Sequence, residues 1–217
     1  MKLANYFDHT LLKADCTRKD ILAVCQEAKK YQFAAVCVPP YYVNLATNEL
    51  DDTQIKVATV IGFPLGYPAT AGKVEEIKRA INDGADELDV VLNIAALKNG
   101  DWNFVQSDLD SMTTAVRLRS KQIKAIIETA ILSEEEIKKA CIVCREVGVD
   151  FIKTSTGYQG GASVDAVKLI KESVKDSNIK IKASGGIRKV SDAVALIEAG
   201  ADRLGSSSAV AIVQEEK

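Results

Sequence analysis

Two lysines stand inside otherwise apolar runs, in Phe151-Ile152-Lys153-Thr154 and Ile179-Lys180-Ile181-Lys182-Ala183. Lysine is rarely fully buried, so a lysine in a strand-like run needs a reason. The ordinary reason is an aliphatic stem lying on the sheet with its ammonium in water, and for an isolated strand lysine that reading is the better one. Two such lysines on consecutive strands change the balance, because neighbouring strands lie about 4.8 Å apart and the two ammonium groups can approach each other. Desolvation and a like charge both favour the neutral amine, which is the form that attacks a carbonyl carbon. A carboxylate able to face them lies in Glu87-Leu88-Asp89-Val90-Val91, where alternation puts Asp89 on one face with Glu87 and Val91. Asp89 either bonds a neighbouring backbone or faces the lysines, holding charge and relaying protons through water; spacing alone leaves both open.

Glycine-rich turns follow the last three strand-like runs: Thr154-Ser155-Thr156-Gly157-Tyr158-Gln159-Gly160-Gly161, Ser184-Gly185-Gly186-Ile187-Arg188, and Gly205-Ser206-Ser207-Ser208 ahead of a short helix. Such turns expose backbone N–H groups that can cradle a phosphate. One alone would be read as a turn. Neighbouring ones beside a lysine pair point to a phosphorylated substrate.

The elements that must position these residues alternate. Strand-like runs cover Tyr6–Thr10, Phe33–Val38, Lys56–Gly62, Glu87–Leu92, Ile123–Glu128, Asp150–Thr154, Ile179–Ala183 and Asp202–Gly205. Most are continuous in Val, Ile, Ala and Leu, as strands covered on both faces should be. Helical periods cover Thr17–Lys30, Thr70–Asn82, Trp102–Arg119, Ser133–Val147, Ser163–Lys175 and Val190–Glu198. Ser133-Glu134-Glu135-Glu136 reads as a capping box, and Thr17 and Ser163 as N-caps. Asp83-Gly84-Ala85-Asp86, Val147-Gly148-Val149-Asp150 and Ala199-Gly200-Ala201-Asp202 repeat one junction, a helix stop leading directly into a buried strand. Eight strands with right-handed crossovers predict one (β/α)8 barrel over residues 1–217, with its chemistry at the C-terminal strand ends: Asp8, Cys37, Asp89, Glu128, Lys153, Lys182 and the Gly205–Ser208 turn. An open doubly wound sheet is the runner-up. It lacks its usual signal, because Pro39-Pro40-Tyr41 and not a glycine-rich turn follows Phe33–Val38.

Composition narrows the function. The 28 basic and 30 acidic residues are interspersed and leave a net charge of −2, which gives no case for a nucleic acid or an anionic membrane as partner. A single histidine excludes a metal site built on several imidazoles and leaves acid–base work mostly to carboxylates, lysines, tyrosines or water. No stretch is long and apolar enough for a spanning helix, and the N-terminus has no apolar signal region. Five cysteines in such a chain read as reduced thiols in a cytoplasm. Cys141 and Cys144 read as core positions of a helix, His9 as a structural hydrogen-bonder, and Trp102 as packing on the barrel exterior. Cys37 reads as a small buried hydrophobe or as a thiol open to reactive aldehydes.

The segments Phe151-Ile152-Lys153-Thr154-Ser155-Thr156-Gly157, Lys182-Ala183-Ser184-Gly185-Gly186-Ile187-Arg188 and Glu87-Leu88-Asp89-Val90-Val91-Leu92-Asn93 closely resemble the signatures of the deoxyribose-phosphate aldolase family. Asp8-His9-Thr10, Val36-Cys37-Val38 and Gly205-Ser206-Ser207-Ser208 fit it in the same order, so the resemblance covers nearly the whole chain. It implies a class I aldolase on a (β/α)8 barrel, without metal or cofactor. The implied reaction is reversible cleavage of 2-deoxy-D-ribose 5-phosphate to acetaldehyde and D-glyceraldehyde 3-phosphate, in deoxyribose phosphate catabolism. By position, the resemblance makes Lys153 the Schiff-base lysine, Lys182 the second lysine that eases proton loss from Lys153, and Asp89 the carboxylate of the proton relay. Gly185, Gly186, Ser207 and Ser208 are implied to bind phosphate with Gly157 helping, Asp8 and Thr156 to sit near the sugar hydroxyls, and Cys37 to border the substrate. A homodimer is the expected assembly.

Two positions depart from the family pattern. Tyr158 stands where some relatives carry a lysine that helps hold the acceptor, and the chain ends Val213-Gln214-Glu215-Glu216-Lys217 where some carry a relay tyrosine. The last proton delivery then falls to Asp89 with water or to Lys182. Another Schiff-base sugar-phosphate aldolase or a transaldolase would share the buried lysine, and a silent phosphate-binding barrel would share the turns. Neither is expected to carry both the Lys153–Gly157 and Lys182–Arg188 segments.

Overall fold

The computed structural model describes residues 2–216, and every strand-like run forms a strand there. The strands are β1 (Phe7–Thr10), β2 (Ala35–Val38), β3 (Lys56–Ile61), β4 (Glu87–Val91), β5 (Gln122–Ile126), β6 (Phe151–Lys153), β7 (Lys180–Ser184) and β8 (Arg203–Ser206). They pair in parallel and in chain order, and β8 returns to β1, so the sheet closes and leaves no edge. This is the expected (β/α)8 barrel, with helices outside and side chains filling the interior.

The helices begin and end where short polar side chains and glycine dictate. They are α1 (Arg18–Tyr31), α2 (Val43–Leu50), α3 (Thr70–Asn82), α4 (Ile94–Lys98), α5 (Trp102–Arg117), α6 (Glu134–Val147), α7 (Val164–Ser173), α8 (Val190–Glu198) and α9 (Ala209–Glu215). At the start of α6 the Ser133 N–H donates to the Glu136 carboxylate at 2.7 Å, while the Glu136 N–H donates to Ser133 Oγ at 3.2 Å. Gly148 ends that helix at φ +76°, a conformation open to glycine at little cost. Cys141 and Cys144 lie on its buried face, as expected. In α1, Ile21, Val24, Cys25 and Ala28 recur at helical spacing and form the stripe against the barrel. His9 is buried and shares a 2.6 Å hydrogen bond with Glu27 of that helix. Trp102 packs against the core from outside, with Lys139 Nζ 5.0 Å from its ring centre.

Two helices escaped the periodicity. Helix α2 has no capping side chain at its start and follows a tight turn at Pro40–Tyr42, and α4 is only five residues long. Helix α4 is set by Asn93, whose side-chain oxygen accepts the Ala96 N–H at 3.0 Å. Helix α7 stops at Ser173, two residues short of the expected Lys175, and α5 stops at Arg117 instead of Arg119.

The repeated junction does more than stop helices. The side chain of Asp86 accepts the Val57 N–H at 3.2 Å, Asp150 the Ile123 N–H at 2.8 Å, and Asp202 the Ile181 N–H at 2.9 Å. Each aspartate therefore latches the start of its own strand to the start of the preceding one, which helps set the register on which the other end of the barrel depends.

Among the described residues, one ion pair is buried outside the barrel interior. Lys73 of α3 donates to Asp108 of α5 at 2.7 Å and to the Val91 carbonyl at 3.2 Å, and the Thr70 hydroxyl donates to the other Asp108 oxygen at 2.8 Å. Removing one partner strands a buried charge. Asp108→Ala is therefore expected to cost about 3–5 kcal/mol in urea unfolding, and the paired change Lys73→Met with Asp108→Leu to recover most of that loss.

Candidate active site

Strand register brings the charges together. Asp89 on β4 is the register partner of Lys124 on β5, and Lys153 on β6 is the partner of Lys182 on β7. Leu88 and Val90 join the apolar core, while Glu87 and Asp89 point into the barrel. One Asp89 oxygen accepts from Lys124 at 2.8 Å; the other accepts from Lys153 at 2.8 Å and from Lys182 at 2.7 Å. Lys182 also donates to Asp8 of β1. Arg203 of β8 lies 3.2 Å from Asp8 and donates to Glu87 at 2.8 Å, and Lys124 lies 2.6 Å from Glu87. The sequence reading of Asp89 as a carboxylate facing both lysines is thus what the geometry holds.

The cluster has four cations, Lys124, Lys153, Lys182 and Arg203, and three carboxylates, Asp8, Glu87 and Asp89, so 4 − 3 leaves one positive charge in excess when all are ionised. Lys124, Lys182 and Arg203 each touch two carboxylates; Lys153 touches one. Excess charge in a dry interior is costly, and release of a single proton removes it. Lys153 is the one cation of the four with a single carboxylate partner.

Asp8, Asp89, Lys124, Lys182 and Arg203 are held in their charged forms. Burial alone would raise Asp89, but Lys124, Lys153 and Lys182 outweigh it and hold the carboxyl well below its ordinary value. Burial likewise opposes the Asp8 charge, and Lys182 and Arg203 overcome it. Lys182 and Lys124 lose solvation on burial yet stay above the ordinary lysine value, Lys182 through Asp8 and Asp89, Lys124 through Asp89 and Glu87.

A cavity of about 330 Å³ opens at the C-terminal ends of the strands, and among the described residues Lys153 is the one member of the cluster in its wall. Thr156, Gly157, Gly185, Gly186 and Ser207 line it too. Gly185 sits at φ +86°, and a Cβ there would fall 3.0 Å from the Gly160 carbonyl oxygen and from Gly161 Cα. Glycine is required where the β6–α7 and β7–α8 turns meet backbone to backbone, with the Ala162 N–H donating to the Gly185 carbonyl at 3.1 Å. A second opening, at the opposite end of the barrel beside Gln122, Asp150 and Lys180, holds none of the cluster's cations.

Several expected residues lie elsewhere. Asp8 was expected near sugar hydroxyls; it is fully buried beneath the cavity as the counter-ion of Lys182 and Arg203. Cys37 precedes the last residue of β2 and packs with Ala58 and Val60 in the interior, out of the cavity wall. Burial pushes its thiol up, which disfavours the reactive thiolate. Ser208 is outside the wall as well; its N–H donates to Ser206 Oγ at 2.9 Å, folding the turn onto itself. Tyr158 stands at the mouth, its hydroxyl donating to the Leu12 carbonyl at 3.4 Å and its ring edge-on to Phe63. Sequence reasoning missed Lys124 and Arg203 as site residues. Both lie inside strand-like runs, the signal that had drawn attention to Lys153 and Lys182. It also missed Lys13, an exposed cation on the cavity wall.

A closed barrel with Lys153 reaching an open cavity beside glycine turns has the build of a barrel enzyme acting on a small molecule, and comparison places it more narrowly. Residues 2–215 match the model of the DeoC/LacD family aldolases, and the chain belongs to that family. It is 49% identical over 215 residues to the deoxyribose-phosphate aldolase of Finegoldia magna, covering 99% of this chain and 100% of that one. It is also 49% identical to the same-named enzyme of Aciduliprofundum boonei, covering 98% and 96%. The tetrameric deoxyribose phosphate aldolase of Aeropyrum pernix superposes with a TM-score of 0.92 at 31% identity, covering 98% of this chain and 89% of that one.

Neutralising Asp89 would leave three ammonium groups without their common partner. Asp89→Asn is expected to lose about 3–5 kcal/mol of stability at neutral pH. Because folding lowers the Asp89 value, its contribution is complete above the ordinary carboxylate value of about 4 and is lost as pH falls through the lower folded one. Urea unfolding at stepped pH should therefore show a gap between the wild type and the Asp89→Asn variant that is constant above about pH 5 and closes only in strong acid.

Proposed function

We propose that this aldolase reversibly cleaves 2-deoxy-D-ribose 5-phosphate to acetaldehyde and D-glyceraldehyde 3-phosphate, with Lys153 as the amine that forms the imine. The observation that carries the reading is the position of Lys153: one carboxylate contact behind it and the open cavity in front. Neutral Lys153 attacks the aldehyde carbon of the open-chain sugar, and loss of water leaves an iminium. The iminium draws in the electron pair of the C2–C3 bond as the C3 hydroxyl gives its proton to water in the cavity. Glyceraldehyde 3-phosphate departs, the enamine takes a proton at its terminal carbon, and water releases acetaldehyde and frees the amine. Covalent catalysis replaces one carbanion step with several easier ones. Lys182 and Lys124 keep Asp89 charged and in place.

The phosphate group fits the turns at Gly157, Gly185, Gly186 and Ser207, which line the cavity, and Lys13 adds a positive charge at the rim. Five free cysteines agree with a reducing compartment, and no described helix is long and apolar enough to cross a membrane. On the cysteines alone, a cytoplasmic location is the reading we favour.

Lys153→Leu is expected to reduce turnover of 2-deoxyribose 5-phosphate to background while the protein stays folded; substantial retained turnover would refute the imine assignment. Gly185→Ala puts a methyl group into the junction of the two turns. It should raise KM for the 5-phosphate several-fold and leave kcat/KM for unphosphorylated 2-deoxyribose nearly unchanged, as steady-state kinetics on both sugars will register.

A further inference from the structure

Asp89 is pinned by three ammonium groups and lies out of the cavity wall. A second buried carboxyl stands outside the cluster. Glu128 follows β5 in the left-handed region, at φ +60° and ψ +59°, where a non-glycine residue stays only if its surroundings hold it. Two backbone bonds to β6 and its loop do so: the Ile127 N–H donates to the Lys153 carbonyl at 3.1 Å and the Thr129 N–H to the Thr154 carbonyl at 2.8 Å. The strained conformation aims the buried side chain at Thr156, whose N–H donates to it at 3.2 Å and whose hydroxyl donates to it as well.

Thr156 lines the reaction cavity with Lys153. On its other side Glu128 borders a separate cavity of about 240 Å³, walled by Leu65, Tyr67, Ile94 and Ile131. The charged groups that face it are Lys153 through space and Lys98 in the wall of that second cavity. Burial lifts the Glu128 carboxyl above its ordinary value, and the Thr156 bonds and Lys153 pull only partly against it.

We infer that Glu128 and the Thr156 hydroxyl form a proton couple for the two-carbon fragment on Lys153, Thr156 meeting the enamine and Glu128 acting through Thr156 as the positioning residue that holds the proton. The inference deepens the function proposed above and rests on imine formation at Lys153. In the release direction the enamine π pair forms a C–H bond with the Thr156 hydroxyl proton. The Glu128 proton passes to Thr156 Oγ, leaving a Glu128 carboxylate and a Lys153 iminium. Water in the second cavity returns a proton to Glu128. In the condensation direction the same transfers run in reverse, and Thr156 removes the methyl proton of bound acetaldehyde.

The test uses acetaldehyde alone in heavy water. Methyl hydrogen exchange is followed by proton NMR, and a parallel sample is reduced with borohydride and the Lys153 peptide weighed. Glu128→Gln keeps an oxygen for the Thr156 N–H but cannot carry the proton. Its exchange should fall about 10²-fold or more while the trapped Lys153 adduct stays at the wild-type level. Thr156→Val should behave alike, and Glu128→Asp should recover part of the exchange. Exchange in the Glu128→Gln variant within a few-fold of wild type, with trapping intact, would overturn the inference. So would loss of exchange and trapping together, since Glu128 would then only shape the loop. Absence of an adduct on wild-type Lys153 would instead remove the imine reading itself.

Discussion

Three ammonium groups converge on the Asp89 carboxylate in the middle of the barrel, and the geometry around them follows from the cost of that arrangement. Moving a carboxylate or an ammonium out of water costs several kcal/mol, offset only when partners are close and well placed. Asp8, Glu87, Lys124, Lys182 and Arg203 complete the set from β1, β4, β5, β7 and β8, so the cluster is satisfied only when the sheet has closed with the observed register. A one-residue slip of β4 would turn Asp89 outward into the layer now filled by Leu88 and Val90. The aspartate latches at the starts of β4, β6 and β8 and the charges inside the barrel enforce the same alignment.

That constraint also sorts the groups by chemistry. Six of the seven charges satisfy one another in a closed set and lie out of the cavity wall; the seventh, Lys153, has one partner and faces the cavity. Counting partners thus sets Lys153 apart from the other lysines of the cluster. The carboxyls divide in the same way. Asp89 is pulled down by its lysines and Glu128 is pushed up by burial, and groups driven apart by their surroundings are the usual sign of divided acid and base roles.

Much of this was legible in the residues. Nearly continuous apolar runs located most of the strands, because a sheet covered on both faces has no polar side to interrupt them; the first and last, Tyr6–Thr10 and Asp202–Gly205, carry charges and were placed by their position in the alternation. Lys153, Lys182 and Asp89 stood out because charge in such a run is expensive, and the same argument applies to Lys124 and Arg203, which went unmarked. Depth was harder. Asp8 and Cys37 sit near strand ends in the sequence, yet the tilt and closure of the barrel put them below the cavity, where Asp8 meets Lys182, 174 residues away. Helices α2 and α4 were hidden because one lacks a capping side chain and the other is shorter than two turns. Glu128 was legible as a polar strand end, but its contact with Thr156 was not, since its backbone conformation is imposed by β6.

The central claim is that the charge cluster leaves one reactive amine among three neighbouring lysines. The most direct test is to reduce wild-type enzyme with borohydride in the presence of acetaldehyde and map the two-carbon adduct over the peptides that contain Lys124, Lys153 and Lys182. The account predicts an adduct on Lys153 alone. An adduct on Lys124 or Lys182, or an even spread over all three, would contradict it.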